Sequence, residues 1–162
     1  MNDRPNLTIP HEGYVVVCDG RKALVLRNAG HPLRPDLQVQ RVLEAPPNPP
    51  THLQGTDRPP RVRLGDRRSA IAQTDWHALA ERQFADAVAQ ALGAIDPLAA
   101  LVVVAPPRAL AELRQALPER LRQVIVAEID KDLTKHPVDE IRRHLHAVRY
   151  RSRSMGSVQR IV

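Results

Sequence analysis

The chain has 162 residues, 43% of them hydrophobic, which suits one packed domain and excludes wholesale disorder. No stretch approaches the roughly eighteen consecutive apolar residues of a membrane span, and Met1 to Pro10 lack the apolar segment behind a basic start that a secretory signal needs. The net charge of +6 is carried by 21 Arg and three Lys and is concentrated: residues 58–68 hold five Arg against Asp66, and residues 141–162 hold six Arg and no acid.

The first twelve residues read as a polar lead-in. Gly13 to Cys18 is a β-branched strand ending at Asp19-Gly20, a dipeptide that predicts a two-residue hairpin because both central positions of such a turn take positive φ. Lys22 to Asn28 is the return strand. Leu37 to Leu43 is a third, with Leu37, Val39, Arg41 and Leu43 alternating onto one face. Pro46, Pro47, Pro49, Pro50, Pro59 and Pro60 remove backbone donors, so residues 45–74 are expected to form a long loop.

Asp75 is a candidate N-cap for a helix reaching Leu92, with Gly93 as its C-cap. Trp76, Leu79, Ala80, Ala87, Val88, Ala91 and Leu92, with Phe84 between them, form its apolar stripe. Ala99 to Ala105 is a continuously apolar strand, as burial on both faces requires. A second helix opens at Pro106-Pro107 and is interrupted by Pro118. Val124 to Ile129 is a further strand, and Pro137 starts a last helix that reaches Val148. The basic tail, 149–162, shows no apolar period and is expected to be flexible. A three-strand meander followed by two helix–strand units and a final helix predicts an α/β fold, with a mixed five-stranded sheet between helices, over residues 13–148.

Three segments resemble one bacterial family. They are Asp19-Gly20-Arg21-Lys22-Ala23 after the first strand, Arg82 to Ala89 on the first helix, and Leu101 to Pro107 followed by Val126 to Thr134. Together they look like the host attachment family, which is similar to the middle domain of eukaryotic and archaeal release factors. The resemblance implies a ribonuclease H-like fold and a role near ribosomal RNA. Peptide release by those factors uses Gly-Gly-Gln, which is absent here.

A two-metal nuclease needs several converging carboxylates. Asp19, with Glu81 or Asp86 on the first helix, supplies part of such a set, but the fourth strand ends in Ala105-Pro106-Pro107 where a further acid is wanted. Asp130-Lys131-Asp132 offers hard oxygen ligands, yet Lys131 offsets their charge. Asp19, Asp130, Lys131 and Asp132 are therefore taken as a candidate functional edge without an assigned metal, cofactor or catalytic residue. The histidines show no ligand spacing; His144 and His146 lie two apart on a helix, where their rings diverge. Cys18, the single cysteine, is expected as a buried thiol in a reducing cytoplasm.

The Arg clusters are the candidate phosphate contacts: Arg58, Arg61, Arg63, Arg67 and Arg68 in the loop, then Arg142, Arg143, Arg149, Arg151 and Arg153 near the end. Only 2% of the chain is aromatic, so contact to RNA would be to its backbone rather than by base stacking. RNA or the ribosome is thus the first expected partner, a protein partner the second, and metal-dependent hydrolysis a third reading. Oligomeric state is not readable from the sequence.

Overall fold

The computed structural model describes residues 6–46, 65–149 and 159–161, with side chains described over 6–46 and 75–149. Its sheet has the order β3-β2-β1-β4-β5-β6. The meander is β1 (Tyr14–Cys18), β2 (Lys22–Asn28) and β3 (Leu37–Glu44), followed by α1 (Gly65–Gly93) and β4 (Leu101–Ala105). Then come α2 (Pro107–Ala116), the short α3 (Glu119–Arg122), β5 (Ile125–Asp130), α4 (Val138–Ala147) and β6 (Gln159–Ile161). β1 pairs antiparallel with β2 and parallel with β4, and β4 pairs parallel with β5. The five expected strands thus form one mixed sheet. A sixth is added from the tail, where Gln159–Ile161 pairs parallel with β5.

Because successive side chains of a strand point to opposite faces, β1 feeds two cores. Val16 and Cys18 join Phe84, Val88 and Leu92 of α1 and Leu113 of α2 on one side. Val15 and Val17 join Ile141 and Leu145 of α4 on the other. Each buried Val or Leu contributes about 1.5–3 kcal/mol relative to exposure. The lead-in is not merely polar: Leu7 and Ile9 are buried in the second core, and the Leu7 N–H donates to the Val148 carbonyl at 2.8 Å. An isolated Leu-x-Ile pair is too short to read as a strand.

β3 departs from its simple alternation. The register between β2 and β3 shifts at Val25/Leu26, so Leu26 faces Val39 and Leu24 faces Val42, while Val25 faces Arg41. This bulge places Leu37, Val39 and Val42 on the α4 side, leaving Arg41 and Leu43 on the other, since one extra residue reverses every later side chain.

Helix α1 begins ten residues before Asp75, which is an interior helical residue. The stretch after Pro60 contains no proline and several good helix formers, so the helix extends back into the expected loop. Its buried face is Phe84, Ala85, Val88, Ala89, Ala91 and Leu92, whereas Trp76 and Leu79 are 53% and 43% exposed. Gly93 makes no left-handed cap. Arg120 donates instead to its carbonyl at 3.0 Å, and the Ala94 N–H donates to the Gln90 carbonyl.

Glu128 on β5 is 4% exposed and receives Arg114 of α2, whose Nε lies 3.0 and 2.9 Å from its two carboxylate oxygens. The bidentate bond raises the Arg114 pKa, the Glu128 hydrogen bond being the leading cause. Removing the arginine takes away the bidentate cationic partner of a carboxylate buried in the core. Arg114→Ala is expected to cost about 3 kcal/mol in urea unfolding, while Arg114→Met with Glu128→Leu is expected to be close to neutral.

Candidate functional site at the carboxyl edge of the sheet

In open α/β sheets, ligands are bound beyond the carboxyl ends of the parallel strands. Here that edge collects the ends of β1, β4 and β5. Asp19 follows β1, but it is not a central turn residue with positive φ; among the described residues only Glu12 is a non-glycine in that region. The turn is centred on Gly20-Arg21. The Asp19 N–H donates to the Lys22 carbonyl, and its Oδ1 accepts from the Arg21 and Lys22 N–H groups at 2.7 Å each. An aspartate satisfying its own hairpin in this way is sequence-local chemistry.

Its second oxygen reaches across the sheet. Asp19 Oδ2 lies 3.1 Å from Thr134 Oγ1, which lies 2.8 Å from Asp132 Oδ1. The Thr134 N–H also donates to Asp132 Oδ1, at 3.3 Å. Thr134 is 3% exposed. A hydroxyl has one proton, so it donates to one of the two carboxylates at a time. Of the four candidate edge residues, Asp19 and Asp132 are thus joined through Thr134. Asp130 ends β5 opposite Ala105, and Lys131 is exposed. The spacing Asp132-x-Thr134 carries the local cap, but the long-range bond to Asp19 has no sequence signal.

Beside this triad lies a small cleft floored by Phe84, Ala85 and Leu113 and edged by Asp19, Glu81 and Glu112. Gly20 permits the approach of α1: a Cβ there would meet Glu81 Cγ at 3.2 Å. Glu81 is already paired with Arg108 at 2.8 Å. Asp86, the other helix acid, lines a separate groove with Gln90 and Arg120. Among the described residues no three of His, Cys, Asp and Glu converge to hold a metal ion. His144 packs edge-on against His136 at 5.2 Å, and His136 bonds Glu140 at 2.8 Å.

Cys18 is 3% exposed, and its thiol is pushed up to about 12, first by burial and then by the charges of Asp19 and Asp132. It remains a protonated thiol at neutral pH. Because the folded chain holds this proton more tightly than the unfolded one, the associated stability is complete below the ordinary thiol value and is lost as pH rises toward about 12.

Arg142 and Arg143, half-buried and exposed, lie on α4, and exposed Arg149 bridges Asn6 beyond its end. Arg67 and Arg68 belong to the first turns of α1, with their side chains outside the described residues. Arg58, Arg61, Arg63, Arg151 and Arg153 lie wholly outside them. Among the described residues no helix is long and apolar enough to cross a membrane.

Two outcomes test this geometry. Native protein should leave Cys18 unreactive to a thiol reagent at mildly alkaline pH and yield one equivalent in guanidinium. Thr134→Val, which deprives both carboxylates of their shared donor, should cost about 1–2 kcal/mol in urea unfolding.

Comparison with known proteins finds no match among curated ones. A family model described as "Protein required for attachment to host cells" matches residues 14–145, which includes β1 to β5 and nearly all of α4. The chain therefore belongs to that host attachment family.

Proposed function

We propose that this member of the host attachment family is a non-catalytic, release-factor-like module of the cytoplasm that binds RNA, on the ribosome or free, through Arg–phosphate contacts. The observation that carries the reading is the concentration of charge: residues 141–162 hold six Arg and no acid, and residues 58–68 hold five Arg against one Asp. A guanidinium fork pairs bidentately with phosphate, and clustering multiplies the counterions released on binding. The order β3-β2-β1-β4-β5, with an antiparallel meander and parallel crossovers, supports a ribonuclease H-like assignment. Catalysis is not part of the reading, because the chain lacks Gly-Gly-Gln and Glu81 is engaged by Arg108.

A protein-interaction module is the second reading. It is favoured by one observation, the exposure of Trp76 and Leu79 on α1. In that case the link to attachment would run through a protein partner.

Salt dependence separates the two. In titrations of a labelled single-stranded RNA, affinity should fall steeply with salt and vary little with base sequence. Arg142→Ala with Arg143→Ala should flatten the log–log slope by about 1.4, at roughly 0.7 per phosphate contact. Replacing Arg58, Arg61, Arg63, Arg67 and Arg68 by Ala should flatten it by about 3.5 on the same scale. Affinity indifferent to salt and to both variants would move the function to a protein partner.

A further inference from the structure

A surface helix ordinarily turns one apolar stripe inward and a charged face outward. Helix α1 does not. Its inward stripe, around Phe84, Val88 and Leu92, fills the core between α1, α2 and the sheet. At 3.6 residues per turn, Trp76, Leu79, Ala80, Gln83, Ala87 and Gln90 fall on a second face, turned away from that stripe. Five of the six are exposed and Ala80 is half-buried. Asp86, exposed and seven residues after Leu79, stands at one margin of this face, and no other charged residue enters it from Trp76 to Gln90. Apart from Asp86 the face is uncharged, and the one Trp of the protein stands on it, 53% exposed. Trp76 and Leu79 precede Glu81, which abuts the Gly20 turn, so they stand on the part of α1 that runs out past the carboxyl edge.

The charges flanking this face indicate what covers it. Asp75 and Arg82 are seven residues apart, so they lie on the same flank of the face, and both are exposed. When two copies of one helix pack antiparallel about a two-fold axis, residues on a given flank meet the same flank of the partner. With the axis between Ala78 and Leu79, Asp75 of each copy meets Arg82 of the other. Trp76 of each copy then rests on the turn containing Leu79 and Ala80 of the other. Around Trp76 and Leu79 the face is thus self-complementary in these two charges and apolar at its centre. Nucleic acid would want a basic face in this position, which it is not.

We propose that the chain forms a two-fold dimer through antiparallel packing of α1 on α1, with Trp76 and Leu79 at its centre and reciprocal Asp75–Arg82 pairs at its margin. This interface is independent of the RNA reading.

Sedimentation velocity of nucleic-acid-free full-length protein, followed with Trp76 emission over a wide range of concentration, tests the dimer. Mass should shift from monomer to dimer as concentration rises, and Trp76 emission should move to the blue with it. Leu79→Arg should weaken association about thirtyfold or more. Asp75→Arg and Arg82→Asp should each weaken it at low salt, and the two together should restore it, because the double reversal recreates the reciprocal pairs. These positions are solvent-facing, so unchanged far-ultraviolet circular dichroism controls for folding. A monomer at every concentration overturns the proposal. So does a monomer with Trp76 already buried, which would assign the face to another part of the same chain. Dimerisation that is equally strong in all the variants overturns it too, because the contact would then lie elsewhere.

Discussion

β1 has neither a free edge nor a free face. It is bonded antiparallel to β2 on one side and parallel to β4 on the other, and its last four residues are buried. Both cores meet in it, since Val16 and Cys18 serve the α1 side while Val15 and Val17 serve the α4 side. A strand so enclosed cannot slip by one residue without exchanging the two cores. Everything beyond its carboxyl end inherits that precision: the Asp19 turn, the approach of Glu81 over Gly20, and the reach of Asp19 to Thr134 are all set by where β1 stops.

Local chemistry made much of this readable in advance. Continuous apolar runs marked β1 and β4 because strands covered on both faces have no polar side to show. Proline marked the starts of both helices, at the N-cap and first helical position of α2 and at the N-cap of α4. What escaped was either non-local or ambiguous in period. The bulge opposite Val25/Leu26 arises from the pairing of two strands, and no single-strand alternation reveals it. Helix α1 carries apolar residues on two faces, so a reading that assumes one stripe merges Trp76 and Leu79 with the core set. Glu128 reads as one polar residue in a strand, and its partner Arg114 reads as surface until the two elements are stacked.

The candidate site was half legible for the same reason. Asp19 before glycine announced a turn, and the structure keeps it as one, by a different bonding pattern. Its coupling to Asp132 needed the β5–α4 loop to fold back across the end of β4, a consequence of strand order rather than of any motif. The result is two carboxylates about one buried hydroxyl, with a third acid, Glu81, held by Arg108. Such an arrangement ties loops together: Asp19 closes its own turn and meets, through Thr134, the loop that Asp132 caps.

Sheet topology also constrains how the basic residues can act. The part of α1 packed on the sheet, from Phe84 to Leu92, and α4 with Arg142 and Arg143 lie on opposite faces. The outward face of α1 around Trp76 and Leu79 differs in chemistry from the basic residues: it is apolar at its centre and flanked by Asp75, Arg82 and Asp86 rather than by like charges. Joining two copies through it would double the number of basic surfaces on one particle. Weak phosphate contacts on each copy would then act together, since a second contact made within the same particle is governed by effective concentration rather than by bulk affinity.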